Sequence, residues 1–199
     1  MIMHAPTVDR TTNRKGKVVD LTFEEIRSLD AGIKKGKQFA GTKVPTLEET
    51  LDCLPRNIWL NVHTYASEPV NVAKVLIDKK REHQAFMACD RKGAVLVKEK
   101  YPQIKICNME RRGDDVSRYI RETIEWKCGF LQLTKLGTPE EMKALKDAGV
   151  KINYFYAKNP EEYKKLRTAG VDFPLVNGIG NFVDAAKDDA AKTVPQKKN

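Results

Sequence analysis

Strand-like and helix-like segments alternate along the chain from residue 58 onward. Short apolar runs at residues 58–63, 84–89, 104–109 and 130–133 are separated by longer amphipathic stretches. Short connections between such segments require parallel strands that are joined by right-handed crossovers. The alternation therefore predicts an α/β fold with a parallel sheet. Periodicity alone leaves two architectures open, namely an open doubly wound sheet and a (β/α) barrel.

Two later helices carry clear start signals. Thr138 and Asn159 each precede a proline and then two glutamates, which is the pattern of an N-cap, a first helical residue and an acidic first turn. Gly149 and Gly170 follow the last apolar residue of each stretch and predict the helix ends. Strands are expected at residues 152–156 and 171–176, and the last helix at 182–191.

Residues 14–57 interrupt the alternation. A capped short helix is expected after Thr22, a polar loop at residues 34–42 and a second helix from Pro45. We interpret this region as an insertion in one domain of residues 1–191, followed by a frayed tail at 192–199. The apolar run at residues 1–3 predicts a short barrel strand that ends at His4.

Composition narrows the functional classes. The chain has 199 residues and a formal net charge of +9, but its basic residues are scattered and not interleaved with aromatic side chains. We therefore expect no nucleic-acid partner and a modest preference for phosphorylated ligands. No apolar run reaches the roughly 18 residues of a membrane span, and charges within the first 15 residues argue against a signal peptide. The expected location is the cytoplasm, or the periplasm or exterior if an export signal has been lost.

Four cysteines stand far apart, with no zinc-ligand spacing among them. Cys89 and Cys107 each lie at the end of a strand-like run, whereas Cys53 and Cys128 lie outside such runs. Reduced thiols in the core are the expected state.

A resemblance to a known family rests on three segments in a fixed order. The run MHAPTVDRTTNRKG, then PTLEE, then IWLNVHTY, resembles the glycerophosphodiester phosphodiesterase family, and weaker similarity continues to NPEEYKKLRTAGVDFPLVN. The resemblance implies an incomplete TIM-type (β/α) barrel whose first strands are missing, with a small insertion after the His4 segment. It also implies hydrolysis of glycerophosphodiesters, in phospholipid degradation, to glycerol phosphate and an alcohol with a divalent metal, Mg²⁺ or Ca²⁺.

The family's site residues carry over only in part. The resemblance implies that His4 is the catalytic acid or base, that His63 is a metal ligand, and that Tyr65 and Phe155 contact the substrate. Ala5 stands where the family has an aspartate, His63 where it has a glutamate and Tyr65 where it has a lysine. The resemblance is thus to an N-terminally truncated and motif-degenerate member.

These departures support a second hypothesis beside the metal-dependent hydrolase. The chain could instead be an inactive barrel remnant or a pseudoenzyme that binds a phosphoryl ligand. The expected partner is a small phosphodiester, and open barrel edges would permit self-association.

Overall fold

The computed structural model describes residues 1–64 and 68–187, and these fall into two compact units. Unit 1 contains the described residues 1–59 and 68–84, and unit 2 contains 60–64 and 85–187. Among the described residues, no helix combines the length and the apolar character needed to cross a membrane. The expectation of a single domain over residues 1–191 stays a prediction.

Unit 2 alternates strands and helices as the sequence pattern predicts. Each of its helices begins where a side chain accepts a hydrogen bond from the first turn, at Asp90, Asp115, Thr138 and Asn159. The elements are β1 (Leu60–His63), β2 (Ala85–Cys89), α4 (Arg91–Lys100), β3 (Lys105–Asn108), α5 (Val116–Glu125), β4 (Phe130–Leu133), α6 (Pro139–Asp147), β5 (Lys151–Ala157), α7 (Pro160–Thr168), β6 (Phe173–Val176) and a 3-10 turn (Ile179–Phe182).

The order of the strands decides between the two predicted architectures. All five neighbouring pairs are parallel, and the sheet runs β1-β2-β3-β4-β5-β6 without a reversal. A doubly wound sheet must reverse its order so that helices can cover both faces. Sequential order with right-handed crossovers instead adds each strand on the same side, as in a barrel. The barrel-type prediction is confirmed.

The sheet of unit 2 is curled. Phe86 on β2 and Phe130 on β4 stack with ring centroids 4.0 Å apart, and Phe130 lies 6.2 Å from Phe173 on β6. Alternate strands are about 10 Å apart in a sheet, so these rings meet because the strands bend around them. Inward side chains from alternate strands form such layers inside a (β/α) barrel. We call this side of the sheet the concave face.

The opposite face of the sheet packs against helices α5, α6 and α7. Leu131 and Leu133 of β4 and Ile152 of β5 are at most 2% exposed and contact apolar residues of these helices. The core extends through Ile120, Leu145 and Leu166, one from each helix. This apolar layer holds the strands in place and fixes where their carboxyl ends lie.

Unit 1 has its own small core of Val8, Ile26, Leu29 and Val44. Its helices are α1 (Phe23–Ser28), α2 (Leu47–Cys53) and α3 (Pro69–Asp78), with 3-10 turns at Val18–Asp20 and Lys37–Phe39. The predicted insertion helices after Thr22 and Pro45 are thus confirmed. The strand predicted at residues 1–3 is wrong. The backbone N–H of Ile2 donates to Pro45 O at 2.9 Å, and Met1 and Met3 pack on the small core, so this segment serves unit 1 as a packed loop.

Arg81 ties the end of α2 to the segment after α3 in unit 1. Arg81 is 4% exposed, and its guanidinium donates to the main-chain oxygens of Leu51 and Leu54 and to Gln84 Oε1. These carbonyls end a helix and have no intrahelical donor. The buried guanidinium of Arg81 has several N–H donors and therefore satisfies both carbonyls at once.

Candidate phosphoryl site at the carboxyl edge of the sheet

In unit 2 the carboxyl ends of six parallel strands lie along one edge. In (β/α) barrels this edge carries the active site, because every strand points its last residues and the following loop toward it. His63 is the last residue of β1, and its register partner on β2 is Ala88, which faces the concave side. The exposed imidazole of His63 therefore lies on the concave face at this edge.

Polar groups continue along the same face beyond the phenylalanine layer. Gln132 lies two residues after Phe130 on β4 and pairs in register with Asn153 on β5. The amide of Asn153 is buried and lies 3.9 Å from Cys107 Sγ. Burial raises the pKa of Cys107 to about 12, so this thiol is neutral and serves as packing. The edge thus changes from apolar to neutral polar toward solvent.

Arg111 brings a positive charge to this edge. It follows the end of β3 by three residues, and its guanidinium Nη2 donates to Gln132 Oε1. The neighbouring Arg112 points elsewhere, since its Nε donates to Glu122 Oε2 at 2.6 Å and its guanidinium lies 5.8 Å from the Trp126 ring. Arg112 therefore belongs to an ion-pair network around α5, whereas Arg111 lies over the concave face.

Phe155 is exposed on β5. We expect the alternation of Tyr154, Phe155 and Tyr156 to place one face in the core and only the other toward a pocket. Tyr154 packs on the core and its hydroxyl donates to Thr134 O at 3.0 Å, whereas Phe155 and Tyr156 are 49% and 36% exposed. The alternation fails at Tyr156 because the β5–β6 register shifts between Tyr154 and Ala157. The role of Phe155 in substrate binding stays a prediction.

His4 lies in unit 1 as an exposed side chain in a bend. The loop that follows it is closed by backbone hydrogen bonds from Val8 N to Gly16 O and from Val18 N to Pro6 O, both 2.9 Å. The buried Thr12 hydroxyl donates to Val8 O at 2.8 Å. The motif after His4 therefore shapes the loop.

The second motif of the resemblance, PTLEE, is a helix start in the structure. Thr46 Oγ1 accepts from Glu49 N at 3.1 Å, and the Glu49 carboxylate accepts from Thr46 N at 2.9 Å, which is a capping box. The hydrogen bond from Thr46 N and the guanidinium of Arg27 hold the pKa of Glu49 below its ordinary value. The motif therefore serves the fold of unit 1 directly.

Tyr65, expected to contact the substrate, lies outside the described residues. His63 and Phe155 lie in unit 2 and His4 in unit 1. The structure therefore brings two of the four predicted site residues to one compact unit, and His4 stays a separate prediction.

The metal prediction is tested by the donors that are present. Within residues 1–64 and 68–187, no three His, Cys, Asp or Glu side chains group closely enough to hold a metal ion. Mg²⁺ and Ca²⁺ prefer several carboxylate or carbonyl oxygens, and a lone imidazole at residue 63 does not supply them. The described residues do not fit a divalent metal, and its binding at His63 stays a prediction.

Nothing in the local residue pattern singles out Arg111 or Gln132. Arg111 is one of a pair of adjacent arginines in a basic chain, and Gln132 sits inside an apolar strand. The available signal is positional, because a polar residue at the third position of a four-residue buried strand must face away from the helices. Only the curl of the sheet brings the two side chains together.

Comparison with known proteins agrees with this fold. Residues 1–83 match the glycerophosphoryl diester phosphodiesterase family. A glycerophosphodiester phosphodiesterase of Bacillus subtilis is 23% identical over 200 residues, covering 89% of this chain and 68% of that protein. Residues 1–83 of the chain are thus similar to this phosphodiesterase family. The recognition made from the three sequence segments is confirmed.

Local identity within the family is higher at the N-terminal segment. A glycerophosphodiester phosphodiesterase of Caldanaerobacter subterraneus subsp. tengcongensis is 54% identical over 54 residues, which cover 27% of this chain and 22% of that protein. The matches to this protein and to a glycerophosphodiester phosphodiesterase-like protein of Bacillus subtilis each span only about a quarter of the relative's length.

Solved structures of the family share the fold. A glycerophosphodiester phosphodiesterase from Agrobacterium tumefaciens superimposes with a TM-score of 0.77 at 20% identity, covering 93% of this chain and 79% of that one. A phosphodiesterase from Oleispira antarctica, solved in complex with the product sn-glycerol-3-phosphate, gives 0.73 at 18% identity over 93% and 78%. The chain therefore shares its fold with these two structures.

Proposed function

We propose that the chain is a glycerophosphodiester phosphodiesterase-like phosphoric diester hydrolase that acts on small glycerophosphodiesters. The observation that carries the proposal is the curled parallel sheet whose carboxyl edge presents His63, Gln132 and Arg111. The family match over residues 1–83 and the likeness to the Oleispira antarctica phosphodiesterase, solved with sn-glycerol-3-phosphate, support it.

The chemistry asks two things of the protein's own residues. Water attacks phosphorus while the bond to the alcohol oxygen breaks, so the departing oxygen must receive a proton. His4 is the residue that we assign to this proton transfer, because an imidazole gains and loses a proton near neutral pH. The negative charge on the phosphoryl oxygens must also be balanced by a cationic group.

A metal ion, when bound, would add charge neutralisation and activate the attacking water. The described donors do not fit one, so no step is assigned to it. The same observation favours a second candidate, a relative that binds phosphoryl ligands without turnover.

Hydrolysis of glycerophosphocholine decides between the two functions. Choline release should be measured with Mg²⁺, with Ca²⁺ and with a chelator, for the unmodified chain and for His4→Ala. His83→Ala is the matched control, because His83 is also an exposed histidine of unit 1. We expect turnover that His4→Ala lowers at least ~100-fold and His83→Ala leaves unchanged.

The opposite outcomes are equally informative. Turnover that survives His4→Ala removes His4 from the mechanism. Absence of turnover in every condition, with intact binding of glycerol phosphate, establishes the binding-only function.

A further inference from the structure

We propose that Arg111, positioned by Gln132, forms the anion-binding subsite that receives the phosphoryl group of the ligand. The inference rests on the proposed function, since it assigns the phosphoryl group to one place on the same edge. A phosphate diester or monoester is the class of ligand that a planar guanidinium recognises through paired hydrogen bonds.

The charge of Arg111 is available to a ligand. Its recorded hydrogen bond goes to the neutral side chain of Gln132, and none of the ion pairs among the described residues includes it. Other arginines differ: Arg27 pairs with Glu49, and Arg112 with Glu110 and Glu122. An exposed guanidinium that is held in place but not neutralised keeps its attraction for an anion.

The position of Arg111 is defined by the sheet. Gln132 lies on the concave face because it follows Phe130 by two residues and pairs with Asn153. The loop after β3 carries Arg111 back over this face, so the guanidinium reaches the edge between β3 and β4. A single Nη2–Oε1 bond leaves the remaining donors of the guanidinium for a ligand.

The electrostatic environment agrees with this placement. Burial raises the pKa of Tyr119 and is the largest influence on it, while Arg111 acts in the opposite direction. The hydroxyl of Tyr119 also accepts a hydrogen bond from Gln132 N at 3.3 Å. The backbone around the subsite is therefore anchored to α5, and the charge of Arg111 is felt at that anchor.

The experiment is a calorimetric titration with sn-glycerol 3-phosphate, which reports binding independently of turnover. We expect Arg111→Gln to weaken binding by ~10-fold or more, because a hydrogen bond to a charged group is lost. Arg111→Lys should retain part of the affinity, since it keeps the charge but not the fork. Arg121→Gln is the matched control: Arg121 has a 63% exposed side chain on α5 that faces Glu125 at 4.0 Å, and its loss should change affinity less than ~2-fold.

A second variant separates a binding role from a structural one. Gln132→Glu keeps the size of the side chain and offers Arg111 a carboxylate. It should weaken binding at least as much as Arg111→Gln, with no loss of melting temperature, because the guanidinium becomes neutralised in place. If Arg111 only holds the loop, Gln132→Glu will leave the affinity unchanged.

Each outcome has one meaning. Unchanged affinity in Arg111→Gln, or no binding of glycerol 3-phosphate by the unmodified chain, overturns the subsite. Binding that depends on Arg111 without any hydrolysis of glycerophosphocholine upholds the subsite and rejects the hydrolase function. Hydrolysis of glycerophosphocholine that does not depend on Arg111 upholds the hydrolase function and rejects the subsite.

Discussion

Phe86 and Phe130 stack with their ring centroids 4.0 Å apart, although strand β3 lies between the strands that carry them. Both rings are buried, and together with Cys107 and Ala88 they fill the concave face. The short distance between these two rings shows that the sheet is curled. That curl makes one edge of unit 2 a converging site and not a row of separated strand ends.

Removal of the Phe130 ring should destabilise unit 2 severely. Phe130 is 1% exposed, and Phe130→Ala would leave a cavity between Phe86 and Phe173. We expect a loss of about 3–5 kcal/mol in the free energy of unfolding, measured by urea denaturation. Phe130→Leu, which fills most of the space, should lose less than half as much. A loss below about 1 kcal/mol for the alanine variant would show that the aromatic layer does not hold the curl.

Arg81 should matter to unit 1 far more than an exposed arginine nearby. Arg81→Met would leave the carbonyls of Leu51 and Leu54 and the amide of Gln84 without their donor. The expected loss is about 2–4 kcal/mol, since each buried unsatisfied group costs about 1–3 kcal/mol and relaxation recovers part of it. Arg56→Met is the control, because Arg56 is exposed and donates to Lys80 O at 3.1 Å. Equal melting temperatures for the two variants would contradict this role of Arg81.

Thiol accessibility gives a direct test of the core. Cys53 is exposed, whereas Cys89, Cys107 and Cys128 are buried. Burial raises the pKa of Cys89 to about 12 and that of Cys128 to about 11. The nucleophile is the thiolate, so a disulfide reagent at pH 8 should modify one thiol per native chain and four in denaturant. Cys53→Ser should abolish the native reaction. Rapid modification of two or more native thiols would show that the sheet of unit 2 is open.

The same thiols predict how stability depends on pH. Their pKa is raised on folding from an ordinary value near 9.0, so the unfolded chain ionises first. Their contribution to stability is full below pH about 9 and is lost as pH rises toward 11–12. The urea concentration at the unfolding midpoint should therefore decrease as the pH is raised from 9 to 11. The decrease should be smaller in Cys107→Ala. Parallel pH curves for the two proteins would remove Cys107 from this linkage.

Much of the fold could be predicted from local pattern because local physics controls it. The capping sequences at Thr22, Thr46, Thr138 and Asn159 place helix starts that the structure reproduces. The strand at Phe130–Leu133 has the predicted bounds, since its apolar run is buried on both sides. The strand predicted at residues 1–3 fails because three apolar residues satisfy a small core equally well as a packed loop.

The sequence by itself determined the α/β class, the helix starts and, through three segments, the resemblance to the phosphodiesterase family. The expectation of core thiols is confirmed for Cys89, Cys107 and Cys128 and is wrong for Cys53, which is exposed. Tertiary structure decided the barrel-type strand order, the loss of alternation at Tyr156 and the meeting of Arg111 with Gln132. The physical reason is the sequence separation over which the interactions act. Caps and apolar periodicity act within a few residues, whereas Arg111 and Gln132 are 21 positions apart and meet only because the strands bend toward a common axis. A site formed from the ends of several strands exists only once the sheet has curled.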